Sequence, residues 1–246
     1  MSRILEVCAN SAQSCLEARE GGAGRVELCA SIPEGGTTPS YGLIRAAQEL
    51  VPGFDIRIIV RPRGGDFLYT PAEVDAMLAD ISLAYSLGLR GVVVGCLTPE
   101  GEVDTKLLRR LVEAAHPMSV TFHRAFDLAR DPFVALEQII ACGCDRLLTS
   151  GQAPTAEQGI PLLRQLVEHA LGRIVIMPGC GIRAGNIARI EAETGAHEFH
   201  ASARNPLSSL MKYRKEGVPM GAPGADEYIR EETDRKKVAA LLQAHI

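Results

Sequence analysis

Eight short β-rich runs, each followed by a longer helix-like stretch, recur along a chain of 246 residues, a mean spacing of roughly 30 residues. The runs are Ile4–Cys8, Arg25–Cys29, Ile56–Arg61, Gly91–Gly95, Met118–His123, Asp145–Thr149, Arg173–Met177 and Glu198–Ala201. Most are apolar on both faces or on the outer face, as strands of a sheet wrapped by helices must be. Strict alternation at this spacing and length predicts an α/β chain of one domain, a TIM-like (β/α)8 barrel. A doubly wound open sheet is the competing arrangement, and it is weakened because no GxGxxG opens the helix after the first strand. Helix signals punctuate the runs. Gly21-Gly22 suits the end of a helix over Ser11–Glu20. Thr70-Pro71-Ala72-Glu73 reads as a capping box with proline at the first helical position. After the eighth run, 202–229 carries scattered Gly and Pro and reads as a long loop or an interface arm.

Composition narrows the function classes. Apolar residues make up 46% and charged residues 23%, and the net charge of −4 does not favour nucleic acid or an anionic membrane. No apolar run approaches the ~20 residues of a membrane span. The start, MSRILEVCANSAQ, lacks the pattern of a secretory signal, so the expected location is cytoplasmic. Seven cysteines without a CxxC fit free thiols or ligands in a reducing compartment, and Cys142 and Cys144 fall at a helix end, where a structural role is expected.

In such a barrel the chemistry lies at the C-terminal strand ends, and the period of two selects the inward side chains. The second strand, RVELC, sets Val26 and Leu28 on one face and Arg25, Glu27 and Cys29 on the other. Applied to all strands, this rule sends Glu6, Cys8, Glu27, Cys29, Arg61, Cys96, Thr121, His123, Glu198, His200 and Ser202 inward, with Arg63 following. Buried unpaired charge is expensive. Either Glu6, Glu27 and Arg61 satisfy one another, or the mouth receives a charged ligand. Glu27 and His123 are acid–base candidates if the chain is an enzyme. Arg61 and Arg63 suit a carboxylate or phosphate. The loop MPGCGI, with Gly179 and Gly181, together with Ser202 and Arg204, has the chemistry of a backbone anion site; two glycines in a tight turn are the plainer alternative. Glu6 and His200 complete the ligand-binding set.

No lysine lies at a strand end, which argues against a Schiff-base aldolase, and no HExxH, GxSxG or Walker sequence is present. Cys8 and Cys29 end neighbouring strands, spaced ~4.8 Å apart in a sheet. Two thiolates there can bind a soft ion such as Cu(I), or can be two small residues filling the barrel.

The strings EVC, RVELC, EGGTTPS, IVRPRGGDFLY, VTFHRAFD, LTSG, GRIVIMPGCGI and EFHASAR resemble the signatures of the CutC family, over residues 6 to 204. The resemblance implies a TIM-like barrel, a cytoplasmic homodimer and a role in copper homeostasis. It places proposed Cu(I) ligands on Cys8 and Cys29. One departure is visible: the family's MPGGG is MPGCG here, with Cys180 in place of a glycine. Two expectations follow, a copper-handling protein using Cys8 and Cys29, and alternatively an enzyme acting on a small anionic metabolite.

Overall fold

The computed structural model describes residues 3–215, 217, 218, 220 and 226–245. Eight parallel strands pair in the order β7-β6-β5-β4-β3-β2-β1-β8. They are β1 (Ile4–Ala9), β2 (Arg25–Leu28), β3 (Ile56–Ile59), β4 (Gly91–Val94), β5 (Ser119–Phe122), β6 (Arg146–Thr149), β7 (Val175–Pro178) and β8 (Glu198–Ala201). β7 and β8 meet at the seam of a nearly closed barrel. The intervening helices are α1 (Ala12–Glu20), α2 (Tyr41–Leu50), α3 (Pro71–Ser86), α4 (Thr105–Ala115), α5 (Pro132–Ala141), α6 (Ile160–Ala170) and α7 (Ile187–Thr194). The expected barrel is therefore the observed fold, and the open sheet is not.

Local chemistry explains the helix starts. Ser11, Ser40, Asp104 and Asp131 each accept a backbone N–H at a helix N-terminus. Thr70 and Glu73 form the reciprocal capping box, with Pro71 at the first position. α6 starts at Ile160 and α7 at Ile187, because both are preceded by turns.

The outer faces of the strands form the main core with the helices: Leu5, Val7, Val26, Leu28, Ile58, Val92, Val94, Val120, Phe122, Leu147, Ile176 and Phe199 are all buried there. Cys96 belongs to this outer core, its thiol donating to Asp104 O at 3.5 Å, so it does not reach the barrel mouth as expected. β4 ends at Val94, and alternation from Val93, which faces inward beside Cys29 and Ile59, turns Cys96 outward.

The interior is a charged layer with a small apolar patch above it. Arg25 donates from Nε to Glu6 Oε2 at 2.5 Å and from Nη2 to Glu198. Arg146 donates to Glu198 Oε2 at 2.8 Å and to Ser119 Oγ at 2.9 Å. Arg57 reaches the same hydroxyl at 3.3 Å and pairs with Asp55. Of the two alternatives, the one in which Glu6, Glu27 and Arg61 satisfy one another is not found: the network is centred on Arg25, which sits one layer below Glu27 on β2.

Part of 202–229 is a hairpin arm. β9 (Arg204–Ser208) pairs antiparallel with β10 (Ile229–Thr233), which leads into α8 (Arg235–Gln243) against α1 and β1. Residues 216, 219 and 221–225 of the expected arm lie outside the described residues.

Candidate functional site

A cavity of about 540 Å³ opens at the C-terminal ends of the strands. Cys8, Glu27, Arg61, His123, Gly181, His200 and Ser202 line it, together with Cys180 and Arg204. Cys29 is buried with Ile59 and Val93 and packs against Cys8, which lines the cavity.

The two thiols are in direct contact. Cys8 Sγ and Cys29 Sγ are 3.4 Å apart. The register pairs Cys8 with Glu27, so Cys29 lies two residues further along the chain, just past the end of β2, and meets Cys8 diagonally. A carboxylate oxygen of Glu27 joins them, with all three ligand atoms within 4.8 Å of one another. The hydrogen bond from Cys29, with help from the cationic His200 and Arg204, holds the Cys8 thiol well below its ordinary range. The same shared hydrogen bond and burial push Cys29 up. The shared hydrogen bond therefore favours thiolate character on Cys8 over Cys29.

His200 organises the carboxylates. Its Nδ1 is 2.8 Å from Glu6 Oε1 and its Nε2 is 3.6 Å from Glu27 Oε2. Burial opposes its charge, but Cys8 and the two carboxylates outweigh burial and keep it protonated. Glu6 is likewise held ionised against its burial by His200 and Arg25. Burial pushes Glu27 up to about 8, and its Oε1 has no partner. Arg204 reaches toward Cys8 Sγ at 4.0 Å while pairing with Glu231.

Across the cavity, Arg61 donates to Glu34 O (2.7 Å), Gly36 O (3.0 Å) and Gly65 O (2.7 Å), and so braces the loops after β2 and β3. Its guanidinium lies 5.0 Å from the Phe67 ring centre, and His123 packs 4.9 Å from the same ring. His123 Nδ1 accepts from Ala125 N at 3.1 Å, and burial, with Arg61 nearby, pushes the imidazole down to about 3. A neutral ring of fixed tautomer donates from Nε2; at neutral pH it is a poor base. The contact is close enough that a β-carbon at Gly95 would stand 2.3 Å from His123 Cε1.

Two expected site residues do not join the group. Arg63 turns outward, donating to Glu73 Oε1 at 2.6 Å and pairing with Asp66, at 37% side-chain exposure. The capping box draws it there, since Glu73 is fixed at the start of α3. Gly179 contributes backbone only, wedged where a β-carbon would meet Leu148 and His200. The loop after β7 reaches α7 only at Ile187, so Gly181 lines the cavity without a helix N-terminus behind it. Cys180 takes a left-handed φ of 75° and donates to Pro154 O at 3.2 Å.

Other lining residues carry weaker sequence signals. Asp127 accepts from Thr149 Oγ1, Ser150 N and Gln152 N, tying the loops after β5 and β6. It lies in the same VTFHRAFD string as His123, and Phe67 lies in IVRPRGGDFLY.

Fold and site define a (β/α)8-barrel protein whose mouth combines a thiol pair with carboxylates and cations. The CutC family model matches residues 3–205. A CutC family protein of Parabacteroides distasonis is 62% identical over 243 residues, 98% of this chain and 100% of that one. The copper homeostasis protein cutC homolog of Mus musculus is 48% identical over 239 residues, covering 97% of this chain and 88% of that one. The crystal structure of CutC from Streptococcus agalactiae superposes with a TM-score of 0.78 at 34% identity, over 81% of this chain and 98% of that one. This chain belongs to the CutC family. A phosphoribosylanthranilate isomerase of Thermotoga maritima, at TM-score 0.59 and 14% identity over 99% of this chain and 98% of that one, shares the barrel fold alone.

Proposed function

We propose that this chain takes part in copper homeostasis by binding Cu(I) as cargo between Cys8 and Cys29. The observation that carries the reading is the 3.4 Å approach of two free thiols, Cys8 in the cavity wall and Cys29 buried behind it. The donor set favours a soft ion of low coordination. Two sulfurs and at most one carboxylate oxygen converge here, whereas Zn(II) sites ordinarily use four ligands. The name of the mouse relative supports the same role. The test is anaerobic Cu(I) titration against a chromogenic chelator. One equivalent is expected for the native chain and none for the Cys8→Ser, Cys29→Ser double variant. Equal uptake by the double variant would sink the reading.

Two further features of this reading are a cytoplasmic location and a homodimer. Seven free thiols suit a reducing compartment. The arm after β8 exposes Leu210 (98%), Met211, Tyr213 and Met220 (82%), an apolar surface suited to a second copy. Light scattering of the native chain against a variant with Leu210 and Met220 changed to Ser checks the dimer, and a monomeric native chain would overturn it. Among the described residues no helix is long and apolar enough to cross a membrane.

A further inference from the structure

The cavity has a second pole that the thiol pair does not use. Arg61 Nε and His123 Nε2 are both buried and have no hydrogen-bond partner. Both residues line the cavity, and both pack on Phe67. The Ala125 N–H donated to His123 Nδ1 places the ring proton on Nε2, so this atom is a donor. Arg61 Nε is a donor as well. An orphaned buried donor loses its hydration without a replacement bond, and native folds leave few of them.

The charge is unbalanced in the same place. Arg61 is 5% exposed and is held by three backbone carbonyls. Carbonyls satisfy its Nη hydrogens but carry no formal charge, and no carboxylate pairs with it among the described residues. The interior arginines Arg25, Arg57 and Arg146 each pair with or donate to an acidic side chain. Arg61 is the exception among these, and it is the one at the cavity.

We propose that this pole binds the carboxylate of a small organic monoanion, its two oxygens accepting from Arg61 Nε–H and His123 Nε2–H. One uncompensated positive charge and two free donors match a group with one negative charge and two acceptor oxygens. A phosphate dianion would bring more charge and more acceptors than the pole offers, and a metal cation would be repelled. The apolar lining of Ile32, Ile59, Phe67, Leu128, Leu148 and Ile182 gives the organic body its surface. The inference is independent of copper, because it uses neither Cys8 nor Cys29.

The test uses the full chain freed of metal with a chelator, so its outcome leaves the Cu(I) reading untouched. Isobutyrate, benzoate and lactate are compared with their uncharged amides and with inorganic phosphate by saturation-transfer NMR and thermal shift. At least one carboxylate is expected to bind, and its amide at least tenfold more weakly. His123→Phe is expected to weaken that carboxylate at least tenfold while the variant stays folded by circular dichroism. In the native chain, the His123 Nε2–H resonance should move on titration with the same carboxylate, a readout that does not depend on the variant folding. Binding by none of the three carboxylates, equal binding of the amide, tighter binding of phosphate, unchanged affinity in a folded His123→Phe, or a stationary His123 resonance would each overturn the proposal.

Discussion

Cys8 and Cys29 bring their sulfurs to 3.4 Å although the strand register sets Cys8 level with Glu27. The diagonal contact concentrates thiolate character on Cys8, which is also the partly exposed member. Cys15, Cys96, Cys142 and Cys144 are buried with their thiols pushed up by burial. Limited iodoacetamide treatment is therefore expected to label Cys8 and Cys180 first. Prior loading with Cu(I) should protect Cys8 and leave Cys180 reactive. Peptide mass mapping checks both statements, and labelling of Cys8 that ignores copper would contradict them.

Arg25 holds two carboxylates in the charged layer. Arg25→Met removes the cation and leaves Glu6 and Glu198 short of a partner, an uncompensated buried charge. The expected loss is about 3–5 kcal/mol by urea unfolding. A loss under about 1 kcal/mol would show that His200 and Arg146 suffice alone.

His123 gives the chain a pH dependence with a definite sign. Its folded-state value of about 3 lies below the ordinary 6.5, so between these limits the unfolded chain binds the extra proton. Stability from this residue is present above about 6.5 and falls as pH drops through that window. Between pH 7.5 and 5 the native chain should lose roughly 2 kcal/mol more than His123→Phe. Parallel urea curves at the two pH values would refute this.

Gly95 sits where a side chain cannot. A β-carbon there would lie 2.3 Å from His123 Cε1 and 2.9 Å from the Ala125 β-carbon, in a packed wall. Gly95→Ala is expected to cost about 1–3 kcal/mol and to break the Ala125–His123 hydrogen bond. The loss of the native His123 tautomer pattern in long-range ¹H–¹⁵N spectra is the accompanying readout.

Much of the site is legible in strand parity. Once β1, β2, β5 and β8 are placed, period two sends Glu6, Cys8, Glu27, Cys29, His123 and His200 inward. The same rule fails at Cys96 and Arg63, and for different reasons. Cys96 lies beyond the end of β4, where a phase counted from the wrong residue puts the thiol on the opposite face. Arg63 lies in a loop, where no period holds, and the capping carboxylate of Glu73 takes it.

The alternation of eight strands and helices, the caps and the inward residues of β1, β2, β5 and β8 were determined by the sequence alone, because they depend on local periodicity and short-range hydrogen bonds. Which charges pair was decided by the tertiary structure. Glu27 was expected with Arg61, yet barrel stagger brings Arg25 to Glu6 and Glu198, leaves Glu27 to His200, and strands Arg61 beside His123. Pairing depends on distances across the barrel between residues as far apart in the chain as Arg25 and Glu198, and no local pattern encodes those distances.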